Sequence, residues 1–315
     1  MIATVSSATA LNAALSAAQA GDTIQLQAGV YDGLAFRNLT FAQDVTITSA
    51  DPLHPAVLTN FNITGVTGLT VSNVELMTIG GANSFDFIVK NSNDIHFDHV
   101  SVHGSLNGDT TGDANGISFA GSANVSVTNS TFQQLGRAMA ISTSSNVTVS
   151  GNTVHDMRSD GFDFAQVDHV TISGNNLSNF HPNGTDHPDA IQFWTKGTTA
   201  SSHDITISGN VIAIGAGSNT QGIFFRDQLG NMPYANVKIS DNLIDGTGYS
   251  GIRIGHVNGL TVSDNQLTTN PGTQNETSTC SFVNFVLPWR STRPSSRLRL
   301  RASSVTRVPL RWTWL

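Results

Sequence analysis

Apolar and polar residues alternate in short runs down the middle of the chain, and the runs recur as a cassette of roughly 23 residues. The copies read NGISFAGSANVSVTNSTF (115–132), RAMAISTSSNVTVSGNTV (137–154), DGFDFAQVDHVTISGNNL (160–177), DAIQFW…HDITISGNVI (189–212), QGIFFR…NVKISDNLI (221–244) and SGIRIGHVNGLTVSDNQL (250–267). Each copy holds two short alternating strands joined by a small polar turn. A turn asparagine recurs as Asn129, Asn152, Asn175, Asn210, Asn242 and Asn265, at spacings of 23, 23, 35, 32 and 23 residues. Repeats this short cannot bury an apolar face alone, so they must stack. The pattern therefore predicts an all-β chain folded as a right-handed parallel β-helix, with Asn and Gly at corners that need left-handed backbone. Stacked asparagines are expected to bond from coil to coil. Weaker copies at VTIT (45–48), LTVSNVEL (69–76) and IHFDHVSV (95–102) extend the solenoid upstream, giving expected limits of 22–277.

Before it, Leu11, Ala14, Leu15 and Ala18 fall on one face of a short helix. Residues 1–21 are expected to form an N-terminal cap over the first coil, covering its open strand edge. This segment lacks the basic start and apolar stretch of a secretory signal.

Composition adds three points. Charged residues make up only 12% of 315, which suits a solenoid rich in small polar corners. The sole cysteine, Cys280, excludes a disulfide framework within the chain, and no run approaches 18 apolar residues. Charge is also segregated. From Arg290 onward the chain carries seven of its fifteen Lys and Arg, whereas residues 1–289 hold eight basic and 22 acidic side chains. Periodicity, acidity and Asn/Gly corners vanish together near residue 278. Residues 278–315 are therefore expected to be an aberrant basic tail, disordered or translated out of frame, and no nucleic-acid or membrane partner is assigned to it.

Candidate chemistry follows from the alternation. The pairs Ile117/Phe119, Met139/Ile141, Phe162/Phe164, Ile191/Phe193, Ile223/Phe225 and Ile252/Ile254 are expected in the core. The residue between each pair gives a solvent-facing ladder of Ser118, Ala140, Asp163, Gln192, Phe224 and Arg253. A second ladder reads Ala120, Ser142, Ala165, Trp194, Arg226 and Gly255. Both turn from small residues to large and polar ones over the coils that carry insertions, at 178–189, 195–204 and 226–235. Long loops around one face of a rigid scaffold mark a functional site. Asp163, His187, Lys196 and Arg226 are the catalytic candidates, with Gln192, Trp194, Phe224, Arg253 and His256 as substrate-binding residues. Trp194 offers a platform for a sugar ring, and the arginine forks match carboxylates. Asp186 and Asp189, together with Asp163, are candidate ligands for Ca²⁺, the one cofactor anticipated, with no organic cofactor. His155, His169 and His203 sit in or near turns and are read as structural.

Cations on a groove in an acidic body imply an anionic ligand, and an open groove suits an extended polymer. An acidic, uronate-containing polysaccharide fits both. Proton removal at C5 of a uronate needs a neutralised carboxylate and a nearby base. The expected activity is β-elimination, with C5 epimerisation, hydrolysis by paired carboxylates, and binding without catalysis as alternatives.

The opening LNAALSAAQAGDTIQLQAGVYDG (11–33) resembles the N-terminal cap and first strand of β-helix polysaccharide lyases of the chondroitinase B and alginate lyase type. DGFDFAQ (160–166) is similar to the active-site coil of secreted mannuronan C-5 epimerases, whose motif reads roughly Gly-Phe-Asp-Pro-His-Glu. On that match Asp163 carries over as a catalytic carboxylate, while Phe164, Ala165 and Gln166 replace the proline, histidine and glutamate. In the lyases a lysine base works with an arginine about one coil away, the pattern nearest to Lys196 and Arg226. The resemblance implies a secreted bacterial enzyme, acting as a monomer and exported without an N-terminal signal peptide.

Overall fold

The computed structural model describes residues 1–268 except 219, 248 and 249, together with the backbone strand Cys280–Val286. The cassettes stack as a parallel β-solenoid of about nine turns. A regular coil contributes three strands, as in Asn115–Ala120, Ala123–Thr128 and Thr131–Leu135, and in the coil from Ile252 the first two run on as one, Ile252–Ser263. All inter-coil pairing is parallel, and the register follows the aligned copies: Ile117 pairs with Met139, Phe162 with Ile191, and Ile223 with Ile252. The inward residues form one continuous core. Phe164, Phe193 and Phe225 stack along it with ring centroids 4.7 and 4.3 Å apart.

The corners are fixed by polar side chains. Asn152, Asn175, Asn210, Asn242 and Asn265 form a buried ladder in which, from Asn175 onward, each Oδ1 accepts from the preceding asparagine's backbone N–H and Nδ2, at 2.7 to 3.0 Å. Buried donors and acceptors are thus satisfied without water. Asn129 does not belong to this ladder. Thr131 pairs with Thr153, so Ser130 occupies the rung below Asn152 and donates its N–H to Asn152 Oδ1. Asn129 instead stands one residue earlier, with φ 49°, over Gly151 at φ 67°. The first spacing is therefore one residue longer than the true coil.

Ahead of the coils, Ser7 accepts from Ala10 N–H and starts the helix Ala8–Ala17, whose Leu11 and Leu15 are buried against the first coils. The helix sits as the expected cap does. A strand not anticipated from the sequence, Ile2–Val5, pairs with Thr23–Leu26. This helix lies far below membrane-spanning length, and no helix among the described residues is long and apolar enough to cross a membrane. At the other end, Cys280–Val286 pairs in parallel with the strand Ile252–Ser263, so a rung lies beyond the expected limit of 277. The rest of the expected tail lies outside the described residues.

Candidate functional site

The first strand of each coil builds an outer wall, and both ladders read from the sequence stand in register there. Ser118, Ala140, Asp163, Gln192, Phe224 and Arg253 are successive Cα partners, as are Ala120, Ser142, Ala165, Trp194 and Arg226. Neighbouring rungs are about 4.8 Å apart. Asp163, Gln192, Trp194 and Arg226 thus share one exterior wall.

That wall is not uniformly open, which corrects the expectation of a solvent-facing ladder. Asp163 is only 1% exposed, and Phe224 and Ala165 are buried, whereas Arg226 and Arg253 are exposed and Gln192 and Trp194 half-buried. Two guanidinium groups account for part of the cover. Arg137 reaches across to within 6.0 Å of the Trp194 ring, and Arg253 lies 5.4 Å from the centroid of Phe224.

Behind the cover Asp163 is joined by two carboxylates, Asp160 and Asp189, that the two ladders do not contain. Two residues before each core pair, the coils carry Asn115, Arg137, Asp160, Asp189, Gln221 and Ser250, a third column at the mouth of the strand. Asp160 Oδ1 accepts the backbone N–H of Asp189 at 2.9 Å, which locks the two coils together. Between Asp160 and Phe162 the chain has Gly161, where a Cβ would meet Ala190 O at 2.4 Å, so the close approach of these coils requires glycine. Arg137 Nη1 lies 3.1 Å from Asp163 Oδ2 and Nη2 3.4 Å from Asp160 Oδ2. Asp189 accepts from Gln192 Nε2, and the exposed His187 stands 3.8 Å from it. Both Asp163 oxygens, Asp189 Oδ1 and Arg137 Nε are buried without an aligned hydrogen-bond partner among the described residues.

Three carboxylates in so dry a place cannot all ionise. Burial, then the charge of Asp160, pushes Asp189 up to about 8, against the Gln192 hydrogen bond and the Arg253 charge. Burial, then the charge of Asp160, also raises Asp163 well above the ordinary carboxylate range despite Arg137, and burial raises Asp160. The group therefore favours holding a proton at neutral pH.

The other end of the wall carries a histidine held by a carboxylate. Asp227 is the anchor of the insertion at 226–235. Its Oδ1 accepts from Thr195 Oγ1 at 2.9 Å and from the N–H groups of Leu229 and Gly230, and its Oδ2 accepts from Met232 N–H at 2.9 Å. Burial alone would raise Asp227, but the His256 contact and these hydrogen bonds hold it below the ordinary carboxylate range. His256 Nδ1 lies 2.6 Å from this Oδ2. An acceptor-only partner places the hydrogen of the neutral ring on Nδ1, which makes Nε2 its lone-pair nitrogen. His256, expected only to bind substrate, thus has the form of a base.

The remaining candidates divide. Lys196 is exposed in the turn after Trp194, on the coil preceding Arg226. Asp186 and Asp189, expected to share a calcium ion, go to different partners. Asp186 pairs with Arg158 Nε at 3.3 Å, and the buried Arg158 also holds Thr111 O and Asn83. Neither aspartate joins a set of three converging ligand atoms among the described residues. Sequence reasoning missed Arg137, Asp160 and Asp227. The first two open their cassettes at equivalent positions, so reading a third column would have found them.

Solved structures similar to this fold include the alginate lyase from Paenibacillus sp. str. FPU-7, with a TM-score of 0.61 and 16% identity over 91% of this chain and 98% of that one. The endo-xylogalacturonan hydrolase from Aspergillus tubingensis gives 0.52 and 14%, over 91% and 92%. The hyperthermoactive exopolygalacturonase from Thermotoga maritima gives 0.54 and 12%, over 80% and 77%. These are likenesses of fold. No curated protein matches the chain significantly. The family model described as "Right handed beta helix region" matches residues 59–185 and 86–286, and with the stacked parallel coils this places the chain in the right-handed β-helix family.

Proposed function

We propose that the outer wall binds an acidic, uronate-containing polysaccharide and cleaves it by β-elimination. The observation that carries this reading is the run of Trp194, Arg226, Arg253 and Asp227-held His256 on consecutive coils. Trp194 supplies a face for a sugar ring, and the exposed guanidinium of Arg226 matches a uronate carboxylate bidentately. Neutralising that carboxylate acidifies the C5 proton, and the base that takes it is His256 Nε2 or the Lys196 amine, both flanking Arg226. The electron pair then expels the glycosidic oxygen at C4, leaving a C4–C5 double bond on the new non-reducing end. The polysaccharide lyase and hydrolases named above have the same fold, which makes the substrate class a natural one for this groove.

Hydrolysis is the second reading, and the proton-holding group of Asp160, Asp163 and Asp189 favours it. A neutral aspartic acid can protonate a glycosidic oxygen. Incubation with alginate, pectate and glycosaminoglycans separates the two. Elimination gives ultraviolet-absorbing unsaturated uronates, lost in Arg226→Ala. Reducing ends without that absorbance, lost in Asp189→Asn, would replace elimination by hydrolysis. Solvent deuterium uptake without cleavage would replace it by epimerisation, and no reaction on any uronate polymer would refute the activity.

A further inference from the structure

We propose that His169, His203 and Asp204 form a binding site for a divalent transition-metal ion of the zinc class, on a corner remote from the carboxylate group. The strands Asp168–Ser173 and His203–Ser208 are neighbours on the second face of the solenoid, with Asp168 opposite His203. His169 and Asp204 occupy equivalent corner positions with φ of 51° and 56°. That left-handed backbone sets the His169 ring over the following coil, so its Nε2 lies 3.9 Å from Asp204 Oδ2. His203 Nδ1 lies 2.8 Å from the same oxygen, and the three ligand atoms all fall within 4.8 Å of one another.

Ligand atoms around a tetrahedral zinc with bonds of about 2.0–2.1 Å stand roughly 3.3–3.5 Å apart. The observed 2.8 and 3.9 Å bracket that value, and side-chain rotation alone covers the difference. The outer partners are also in place. Asp168 Oδ1 accepts His169 Nδ1–H at 2.8 Å, which leaves Nε2 as the lone-pair nitrogen. Asn236 Nδ2 donates to Asp204 Oδ1 at 2.9 Å, which turns Oδ2 toward the imidazoles. A carboxylate behind a ligating histidine, and a hydrogen bond on a ligating carboxylate, are the devices that orient metal ligands. Two imidazoles with one carboxylate select zinc, nickel or copper over calcium or magnesium. A bound ion would tie together two coils separated in sequence by the insertions at 178–189 and 195–204, where the solenoid has lost its regular period.

The corner of Asp44, Asp94 and His96 provides an internal comparison, because it offers a single imidazole, through Nε2, with two carboxylates in place of two imidazoles with one. The test is calorimetric titration of the chelator-stripped full chain with zinc chloride at neutral pH, with thermal unfolding followed in parallel. One ion per chain is expected, with a higher melting temperature in zinc. Affinity should fall at least tenfold in His203→Ala and in His169→Asn, which keeps a residue suited to positive φ, and should be unchanged in His96→Ala. Absence of saturable binding, undiminished binding in the first two variants, or loss of binding in His96→Ala would each overturn the proposal.

Discussion

Replacing Asn175 by alanine removes the middle of the asparagine ladder and tests whether that ladder, rather than the apolar core alone, holds the coils in register. Its Oδ1 accepts both the backbone N–H and the Nδ2 of Asn152 at 2.9 Å, and its Nδ2 donates to Val149 O and Asn210 Oδ1 at 2.9 Å. The side chain is 1% exposed, so no water replaces these contacts in place. On Asn152 the backbone N–H loses its acceptor outright and Nδ2 keeps only Val127 O, and each buried N–H left unpaired costs about 1–3 kcal/mol. The two acceptors keep other partners or a second lone pair and add less. Asn175→Ala is therefore expected to destabilise the chain by about 3–5 kcal/mol, in the range reserved for broken buried networks. Urea unfolding followed by circular dichroism measures it, with Thr206→Ala on an outward rung as a control expected to lose less than about 1 kcal/mol. A loss for Asn175→Ala no larger than the control's would refute the ladder's role.

Two further predictions concern the carboxylates and the cap. Asp189 has a folded pKa of about 8, above the unfolded value of 3.8, so its contribution is fully present below the unfolded value and is lost as pH rises toward 8. Asp189→Asn should flatten that decline, gaining at most about 5–6 kcal/mol at alkaline pH, since a rise from 3.8 to about 8 is worth about 1.36 kcal/mol for each pH unit. Equal slopes of stability against pH from 4 to 8 in the two proteins would contradict the buried neutral acid. Leu11→Ala removes a fully buried side chain from the N-terminal helix and should cost about 2–4 kcal/mol in urea unfolding. A negligible change would mean the helix does not close the first coil.

Periodicity made the fold legible because a core pair such as Phe162/Phe164 repeats at fixed parity whatever the length of the loop between copies. The wall was legible for the same reason: once Ile191 is set over Phe162, Gln192 must follow Asp163 and Trp194 must follow Ala165. What the pattern could not give is where long side chains go after leaving the strand. Arg137 folds back over Asp163 and shuts it from solvent, a contact invisible to alternation. Asp186 was paired with Asp189 on proximity in sequence, but a loop has no period, and Arg158 from another coil captures Asp186. Asn129 stands one residue out of the ladder because asparagine serves two neighbouring corner positions, one chosen for positive φ and one for its side-chain hydrogen bonds. His169 and His203 read as structural in the sequence because they sit in or near turns, and only the stacking of the second face brings them together at Asp204.

The most direct test of the wall as a uronate-binding surface is a fluorescence titration of the full chain with a uronate oligosaccharide, read against Trp194→Phe and Arg226→Ala. The account predicts a saturable change that disappears in Trp194→Phe and needs at least tenfold more ligand in Arg226→Ala. A change that persists in Trp194→Phe, or an affinity indifferent to Arg226, would contradict it.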